Sequence, residues 1–185
     1  PIVDVGGSLV LHSHLPALNS AAYARFVRLH LLDRVEWPSH AQVAVTSRCP
    51  QHCPVCYNRD RAGQPLTDAE LRAAIEGLVA SGVTWLGLTG GEPLLRRDLP
   101  ELVAIPRGRA AVKLFTTGMG LARDRAAALR DAGLASASVS LDSHDEPTHD
   151  RGRAFPGAWR TALDAIETFL EAGGVHVGIS AVLGR

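Results

Sequence analysis

Short apolar runs of strand length alternate along this chain with longer segments that carry the spacing of amphipathic helices. Strands separated by helices of this length favour a parallel sheet with right-handed crossovers, which is an α/β fold. The pattern predicts five strands, at Gln42–Thr46, Val83–Leu88, Ala111–Phe115, Ala135–Ser140 and Val175–Val182. It also predicts helices between the strands. The first begins after Thr67, which forms a capping box with Glu70, and ends at Ser81–Gly82. The others are predicted at Asp98–Val103, Ala122–Asp131 and Ala158–Ala172.

Glycine-rich, polar and cysteine-bearing motifs follow the carboxyl ends of these strands, whereas the amino ends carry none. The motifs are residues 49–57, 89–93, 116–118 and 140–142. Because the carboxyl ends of parallel strands share one rim, where barrel enzymes hold their active sites, we expect these motifs to meet there.

All three cysteines of the chain lie in one loop, as Cys49, Cys53 and Cys56. Their spacing lets one loop present three thiolates to three irons of a cuboidal cluster. A four-iron cluster in an electron-transfer protein takes four thiolates, and no fourth cysteine exists here. The loop therefore predicts a cluster with one iron open to a non-protein ligand.

Zinc is the alternative metal for this loop. In that case the cysteines and one of His52, His40 or His30 would be its four ligands, in a non-catalytic binding module. His52 neighbours Cys53 in sequence, and two adjacent residues reach one tetrahedral ion only with strain. A disulfide is disfavoured, because an odd number of cysteines leaves one thiol over and loops this short close poorly.

The cysteine spacing, with the aromatic Tyr57 after the last cysteine, resembles the signature of the radical S-adenosylmethionine (radical SAM) family. The resemblance implies a [4Fe-4S] cluster, S-adenosylmethionine (SAM) as cofactor, and a 5'-deoxyadenosyl radical that removes hydrogen from a substrate. It also implies a partial TIM-like (β/α)6 barrel, whose sixth strand we expect beyond Arg185.

The glycine-rich motif after the second strand resembles the family's methionine-binding motif. Its residues are Gly90, Gly91, Glu92 and Pro93; by resemblance, its backbone and the Glu92 carboxylate meet the SAM ammonium group. An ordinary tight turn is the alternative. Thr116 matches the family's cofactor contact after the third strand, and capping of the next helix is its alternative role. Thr117 stands where the family carries asparagine, so the resemblance assigns it no role.

The segment after the fourth strand resembles radical SAM enzymes related to pyrroloquinoline quinone biosynthesis and other peptide-modifying members. By that resemblance Ser140 binds the cofactor, Asp142 orders the loop or the ribose, and Arg153 pairs with the methionyl carboxylate, for which a guanidinium is suited. The alternative is a capping aspartate and a surface arginine. His144, His149 and His176 are interpreted as surface histidines rather than catalytic residues, and contact with a substrate is the alternative.

The composition excludes some partners. Nineteen basic residues balance nineteen acidic ones, so no global field favours nucleic acid. No apolar run reaches the length of a membrane span, and we expect a cytoplasmic protein. Expected partners are a small-molecule or peptide substrate and an electron donor such as flavodoxin or ferredoxin.

Residues 1–40 are expected to be an N-terminal extension with one amphipathic helix, and residues 41–185 the radical SAM core. The helix begins at Ala21 after Asn19 or Ser20 as its cap, and its buried stripe is predicted to be Tyr23, Phe26, Val27, His30 and Leu31. We expect that the sequence is truncated at both ends. All cysteines lie in the one loop, so none remains to bind an additional cluster.

Overall fold

A computed structural model describes residues 2–11, 14–58 and 65–182. Its centre is a five-stranded parallel sheet in which the strands lie side by side in chain order. The strands are β3 (His40–Thr46), β4 (Trp85–Gly90), β5 (Ala111–Thr116), β6 (Leu134–Ser140) and β7 (His176–Ser180). This arrangement confirms the predicted α/β class with its parallel strands.

Helices connect the successive strands, as the alternating pattern predicted. They are α2 (Asp68–Ser81), α3 (Leu99–Ala104), α4 (Arg123–Asp131), α5 (Glu146–Arg153) and α6 (Ala158–Ala172). The Thr67–Glu70 capping box is present and opens α2. The helix buries Leu71, Ile75 and Val79, but the predicted inward position of Ala74 is wrong, because Ala74 is exposed.

The two faces of the sheet differ in chemistry, because successive side chains of a strand point to opposite sides. Leu86, Leu88, Val112 and Leu114 lie on the face that packs against the helices, within the buried core. The opposite face is mixed in polarity; its residues include Gln42, Trp85, Lys113, Phe115, Ser136 and His176. The helix-facing side is therefore apolar and builds the core, whereas the inner face combines aromatic with polar side chains.

The N-terminal segment is more structured than its sequence indicated. A hairpin of β1 (Val3–Val5) and β2 (Ser8–Val10) precedes α1 (Ala21–Phe26). Ser20, and not Asn19, caps α1 by accepting the Tyr23 N–H at 3.1 Å. The Asn19 side chain instead binds β2 and the turn of the hairpin, because it accepts from Leu9 N and donates to Gly7 O.

The predicted buried stripe of the first helix is wrong at its end. From Val27 to Leu32 the helix has the wider π form, in which hydrogen bonds span five residues instead of four. The wider turn shifts the side chains away from the 3.6-residue spacing on which the stripe was based. As a result Leu31 is 56% exposed instead of buried.

The structure differs from the prediction in two further ways, at the start of β4 and in an additional helix. β4 begins two residues later than predicted, because Val83 N donates to Leu78 O at the end of α2 and Thr84 N donates to Ser39 O. Helix α5 has no counterpart in the sequence-based assignment. Among the described residues, no helix has the length and apolarity needed to cross a membrane. The sixth strand and the boundary at residue 40 remain predictions.

Candidate active site

The cysteine loop follows β3 directly and enters one large cavity at the carboxyl rim of the sheet. Cys49, Cys53 and Cys56 all line this cavity; Cys56 is exposed and the other two are half-buried. A turn closed by Cys56 N and Cys53 O at 3.2 Å brings the last two cysteines together. Burial is the main cause that raises the pKa of Cys49, and Glu92, Cys53 and Cys56 raise it further, against a backbone hydrogen bond at Gln51.

The glycine pair after β4 lets the cysteine loop pass against it. Gly91 N donates to Thr46 O at 2.7 Å, and Glu92 N donates to Arg48 O at 2.8 Å. A β-carbon on Gly90 would lie 2.2 Å from Thr46 O, and one on Gly91 would lie 2.2 Å from Arg48 O. Both glycines also line the cavity. Their missing side chains therefore serve the packing of the cysteine loop, a close approach of backbone to backbone.

Glu92 is fully buried and joins the loops that follow β4 and β5. Its Oε1 accepts from Leu94 N at 2.9 Å and from the Thr116 hydroxyl at 2.7 Å. Its Oε2 accepts from Thr117 N at 2.6 Å and from the Thr117 hydroxyl at 2.5 Å. Burial raises the pKa of Glu92, although all four hydrogen bonds act to lower it. The carboxyl group thus fixes the position of both threonines.

Thr117 is a site residue to which the sequence assigned no role. It lines the cavity beside Thr116, and its backbone and hydroxyl both bind Glu92. Gly118 completes the loop: its N–H donates to the Thr116 hydroxyl at 2.9 Å. A β-carbon on Gly118 would lie 2.5 Å from the Ala165 side chain, so this glycine lets the loop pack against α6.

Asp142 and Arg153 form an ion pair at the edge of the same cavity. Arg153 Nη2 lies 2.7 Å from Asp142 Oδ1, and the two side chains are 13% and 19% exposed. Arg153 Nε is buried and has no hydrogen-bond partner among the described residues. The Arg153 carbonyl also accepts the His52 N–H at 3.3 Å and lies 3.7 Å from Cys53 Sγ. The end of α5 therefore contacts the cysteine loop.

His149 is buried, and its interpretation as a surface histidine is wrong. It is 1% exposed, because α5 folds back over the end of β6. Its Nδ1 accepts the backbone N–H of Asp142 at 3.1 Å, which places the ring proton on Nε2. Burial lowers the pKa of His149, and Arg153 lowers it further. The neutral imidazole thereby supports the loop that carries Asp142.

The cavity has a volume of about 490 Å³ and gathers most of the residues singled out from the sequence. Those that line it are Cys49, Cys53, Cys56, Tyr57, Gly90, Gly91, Thr116, Ser140, Asp142 and Arg153. Glu92 and Pro93 are not among its lining residues; Glu92 acts through the threonines. The Tyr57 hydroxyl lies 2.6 Å from Thr89 Oγ1. Gln42 and Phe115 also line the cavity, and only the strand register could have revealed them.

The donor set fits a cluster better than a single ion. Zinc needs its ligands within about 2.3 Å of one point, and no three His, Cys, Asp or Glu side chains of the described part of the chain are so arranged. A four-iron cluster is bound through separate irons, and thiolates around one cavity suit it. His30 Nε2 bonds Gly82 O and His40 Nε2 bonds His14 O, so two of the three proposed fourth zinc ligands are occupied elsewhere.

Fold and site together define an α/β core with one large cavity, lined by three cysteines, at the carboxyl rim of a parallel sheet. Residues 43–185 match the radical SAM superfamily, and the chain belongs to this family. The family uses a [4Fe-4S] cluster and SAM. Membership confirms the enzyme class and the cofactors predicted from the cysteine loop.

The chain is similar in sequence to curated members of the family. It is 36% identical to the PqqA peptide cyclase of Rhodopseudomonas palustris over 69% of this chain and 35% of that protein. It is 35% identical to the GTP 3',8-cyclase of Xanthomonas axonopodis pv. citri over 78% of this chain and 46% of that protein. The chain thus spans less than half the length of these relatives.

The fold is shared with solved structures of lower sequence identity. The Streptococcus suis protein SuiB, in a crystal structure bound to S-adenosylmethionine, matches with a TM-score of 0.70 at 16% identity, over 88% of this chain and 38% of that chain. SuiB bound to the precursor peptide SuiA matches with a TM-score of 0.68 at 14% identity, over 88% of this chain and 37% of that chain. These likenesses concern the fold.

Proposed function

We propose that this chain is the catalytic core of a radical SAM enzyme that modifies a peptide. The observation that carries the proposal is the single cavity that gathers the three cysteines with the carboxyl ends of all five strands of the parallel sheet. When bound there, the cluster and SAM supply reductive cleavage of the sulfonium bond and a 5'-deoxyadenosyl radical that removes hydrogen from the substrate.

In this proposal the cysteine thiolates of the loop, Cys49, Cys53 and Cys56, hold three irons, and no fourth cysteine competes for the remaining one. The protein's part in such chemistry is to hold the reactive atom against the substrate and to exclude competing reactions. The packing of Gly90 and Gly91 against residues 46 and 48 holds the cysteine loop at the rim.

Arg153 is proposed to bind the carboxylate of SAM. Its Nη2 is held by Asp142, while its buried Nε keeps an unused donor beside the cavity. A buried donor without an acceptor is costly, and a carboxylate would supply that acceptor in the planar geometry a guanidinium prefers. Ser140 and Thr116 line the same cavity and are proposed as further SAM contacts.

A peptide is the proposed substrate, with flavodoxin or ferredoxin as the electron donor. Two similarities support the peptide: the named substrate of the PqqA peptide cyclase and the precursor peptide bound to SuiB. The inner face of the sheet next to the cavity carries Gln42 and Phe115, which suit contacts with a substrate of mixed polarity.

Anaerobic reconstitution with iron and sulfide tests the proposal. We expect the spectrum of a four-iron cluster and reductive cleavage of SAM to 5'-deoxyadenosine. Cys53→Ala should abolish both, whereas Leu170→Ala, on the exposed side of α6, should retain both. One zinc per chain without acid-labile sulfide, or equal cleavage by the Cys53→Ala variant, would refute the proposal.

A further inference from the structure

Lys113 is the only lysine of the chain; every other member of its 19 lysines and arginines is an arginine. It lies in the middle of β5, the central strand of the sheet, and is 5% exposed. Lysine is almost never buried in proteins unless it is paired. Lys113, as a buried lysine, is therefore expected to have an interaction partner.

The described structure provides an aromatic partner for Lys113 but no acidic one. Across residues 2–11, 14–58 and 65–182, no carboxylate forms an ion pair with Lys113. Its Nζ lies 5.3 Å from the centroid of the Phe115 ring. Burial lowers the pKa of Lys113, with no acidic group acting against it.

The neighbours of Lys113 across the sheet form a row that carries hydrogen-bonding groups but no carboxylate. Gln42, Gly87, Lys113, Ser136 and His176 are consecutive partners in the strand register. Burial lowers the pKa of His176, and the charge of Lys113 lowers it further. Ser136, between them, offers a hydroxyl.

This row separates two cavities on the inner face. Gln42 and Phe115 line the cavity of the cysteines. Ser136 and His176 line a second cavity of about 260 Å³, which the N-terminal hairpin borders through Val5, Ser8 and Val10. Lys113 lies in this row between the two cavities, and its Nζ is next to the ring of Phe115, which lines the first cavity.

We propose that Lys113, with Ser136 and His176, binds an anionic group of the substrate on the inner face of the sheet, below the cofactor cavity. A lysine that is only 5% exposed and has no counter-ion among the described residues is unfavourable, and an anion that accepts hydrogen bonds from its ammonium group offsets that cost. Carboxylate and phosphate share this chemistry. The inference rests on the proposed function, because it places a substrate in this cavity.

The single lysine makes a direct test feasible. The reconstituted holoenzyme, with isotope-labelled lysine, is expected to show one lysine side-chain resonance, that of Lys113. Glutarate and inorganic phosphate are titrated in separate experiments, with the neutral glutaramide as control. We expect a saturable shift of this resonance, together with a rise of the Lys113 pKa, for one of the two anions; the anion that acts at lower concentration identifies the class. No saturable shift with either anion, or an equal shift with glutaramide, would overturn the proposal.

A matched pair of variants extends the test. Because Lys113→Met has no lysine resonance, anion binding by wild type and both variants is compared by calorimetric titration; Lys113→Met should weaken it by about tenfold or more, the range of a charge-assisted hydrogen bond. Arg123→Met, which removes an exposed cation with 81% of its side chain accessible, should bind the anion as wild type does. Equal anion binding by the two variants would refute the assignment. The resonance reports binding without turnover, so a failure of the proposed function would appear separately, as absence of SAM cleavage in wild type.

Discussion

The Thr117 hydroxyl lies 2.5 Å from Oε2 of Glu92, the same oxygen that accepts the Thr117 backbone N–H at 2.6 Å. This contact joins the loop after β4 to the loop after β5 beneath the cavity. Thr117 therefore contributes to the site although it departs from the asparagine of the family pattern. Glu92 does not line the cavity, but through this contact it fixes the position of Thr117, which does.

The first prediction concerns Glu92→Gln. All four partners of the carboxyl group are hydrogen-bond donors, so a glutamine must turn its own NH2 toward at least one of them. We expect the free energy of unfolding to fall by about 1–3 kcal/mol, measured by urea denaturation, with weaker SAM binding. Glu101→Gln, at an exposed position in α3, is the control and should change neither. Wild-type stability in Glu92→Gln would contradict this role.

Gly91→Ala should displace the cysteine loop. The added methyl group would lie 2.2 Å from Arg48 O, and backbone cannot move aside as a side chain can. We expect a loss of about 1–3 kcal/mol in the free energy of unfolding and a lower iron content after reconstitution. Gly77→Ala, where a β-carbon meets nothing within 4 Å in α2, should instead be neutral or stabilise the fold by up to about 1 kcal/mol. Equal effects of the two substitutions would show that the close packing is unimportant.

Arg153→Lys should weaken SAM binding by roughly tenfold to a hundredfold, because lysine retains the charge but loses the planar fork that serves Asp142 and a ligand together. Equilibrium binding of SAM to the reconstituted protein measures the effect. Arg151→Lys, at an exposed position in the same helix, preserves the charge balance and should bind as wild type does. If both variants bind SAM equally well, Arg153 has no part in the SAM site.

His149 should make stability depend on pH. Its folded pKa lies below the ordinary value of 6.5, chiefly because of burial and then because of Arg153, while Asp142 and Asp150 act in the opposite direction. The unfolded chain therefore binds a proton first as the solution is acidified. The contribution of His149 is complete above about pH 6.5 and is lost as the pH falls toward the folded pKa.

Urea denaturation at pH 7.5 and at successively lower pH values measures this dependence. His149→Gln carries no titrating group, so its unfolding free energy should change less between these pH values than that of wild type. His144→Gln, at an exposed position, should keep the wild-type slope. An identical slope in His149→Gln would place the pH dependence elsewhere.

Local sequence patterns were sufficient for the order of the strands and helices. The capping box at Thr67 and the apolar runs of the sheet depend on near neighbours and on the period of side-chain burial. The rim could be predicted for the same reason, since parallel strands place their carboxyl ends together. The π-helical segment at Val27–Leu32 and the buried His149 could not be predicted, because packing between distant elements decides them.

The sequence by itself determined the family, the three thiols and the strand ends that carry the site, since spacing along a single loop is a local property of the chain. Tertiary structure alone decided that Gly91 serves the packing of the cysteine loop, that Glu92 lies beneath the cavity, and that Lys113 has a row of polar neighbours across the inner face. These relationships join residues that are far apart in the chain, and only the register of the strands and the crossing of the loops bring their atoms into contact.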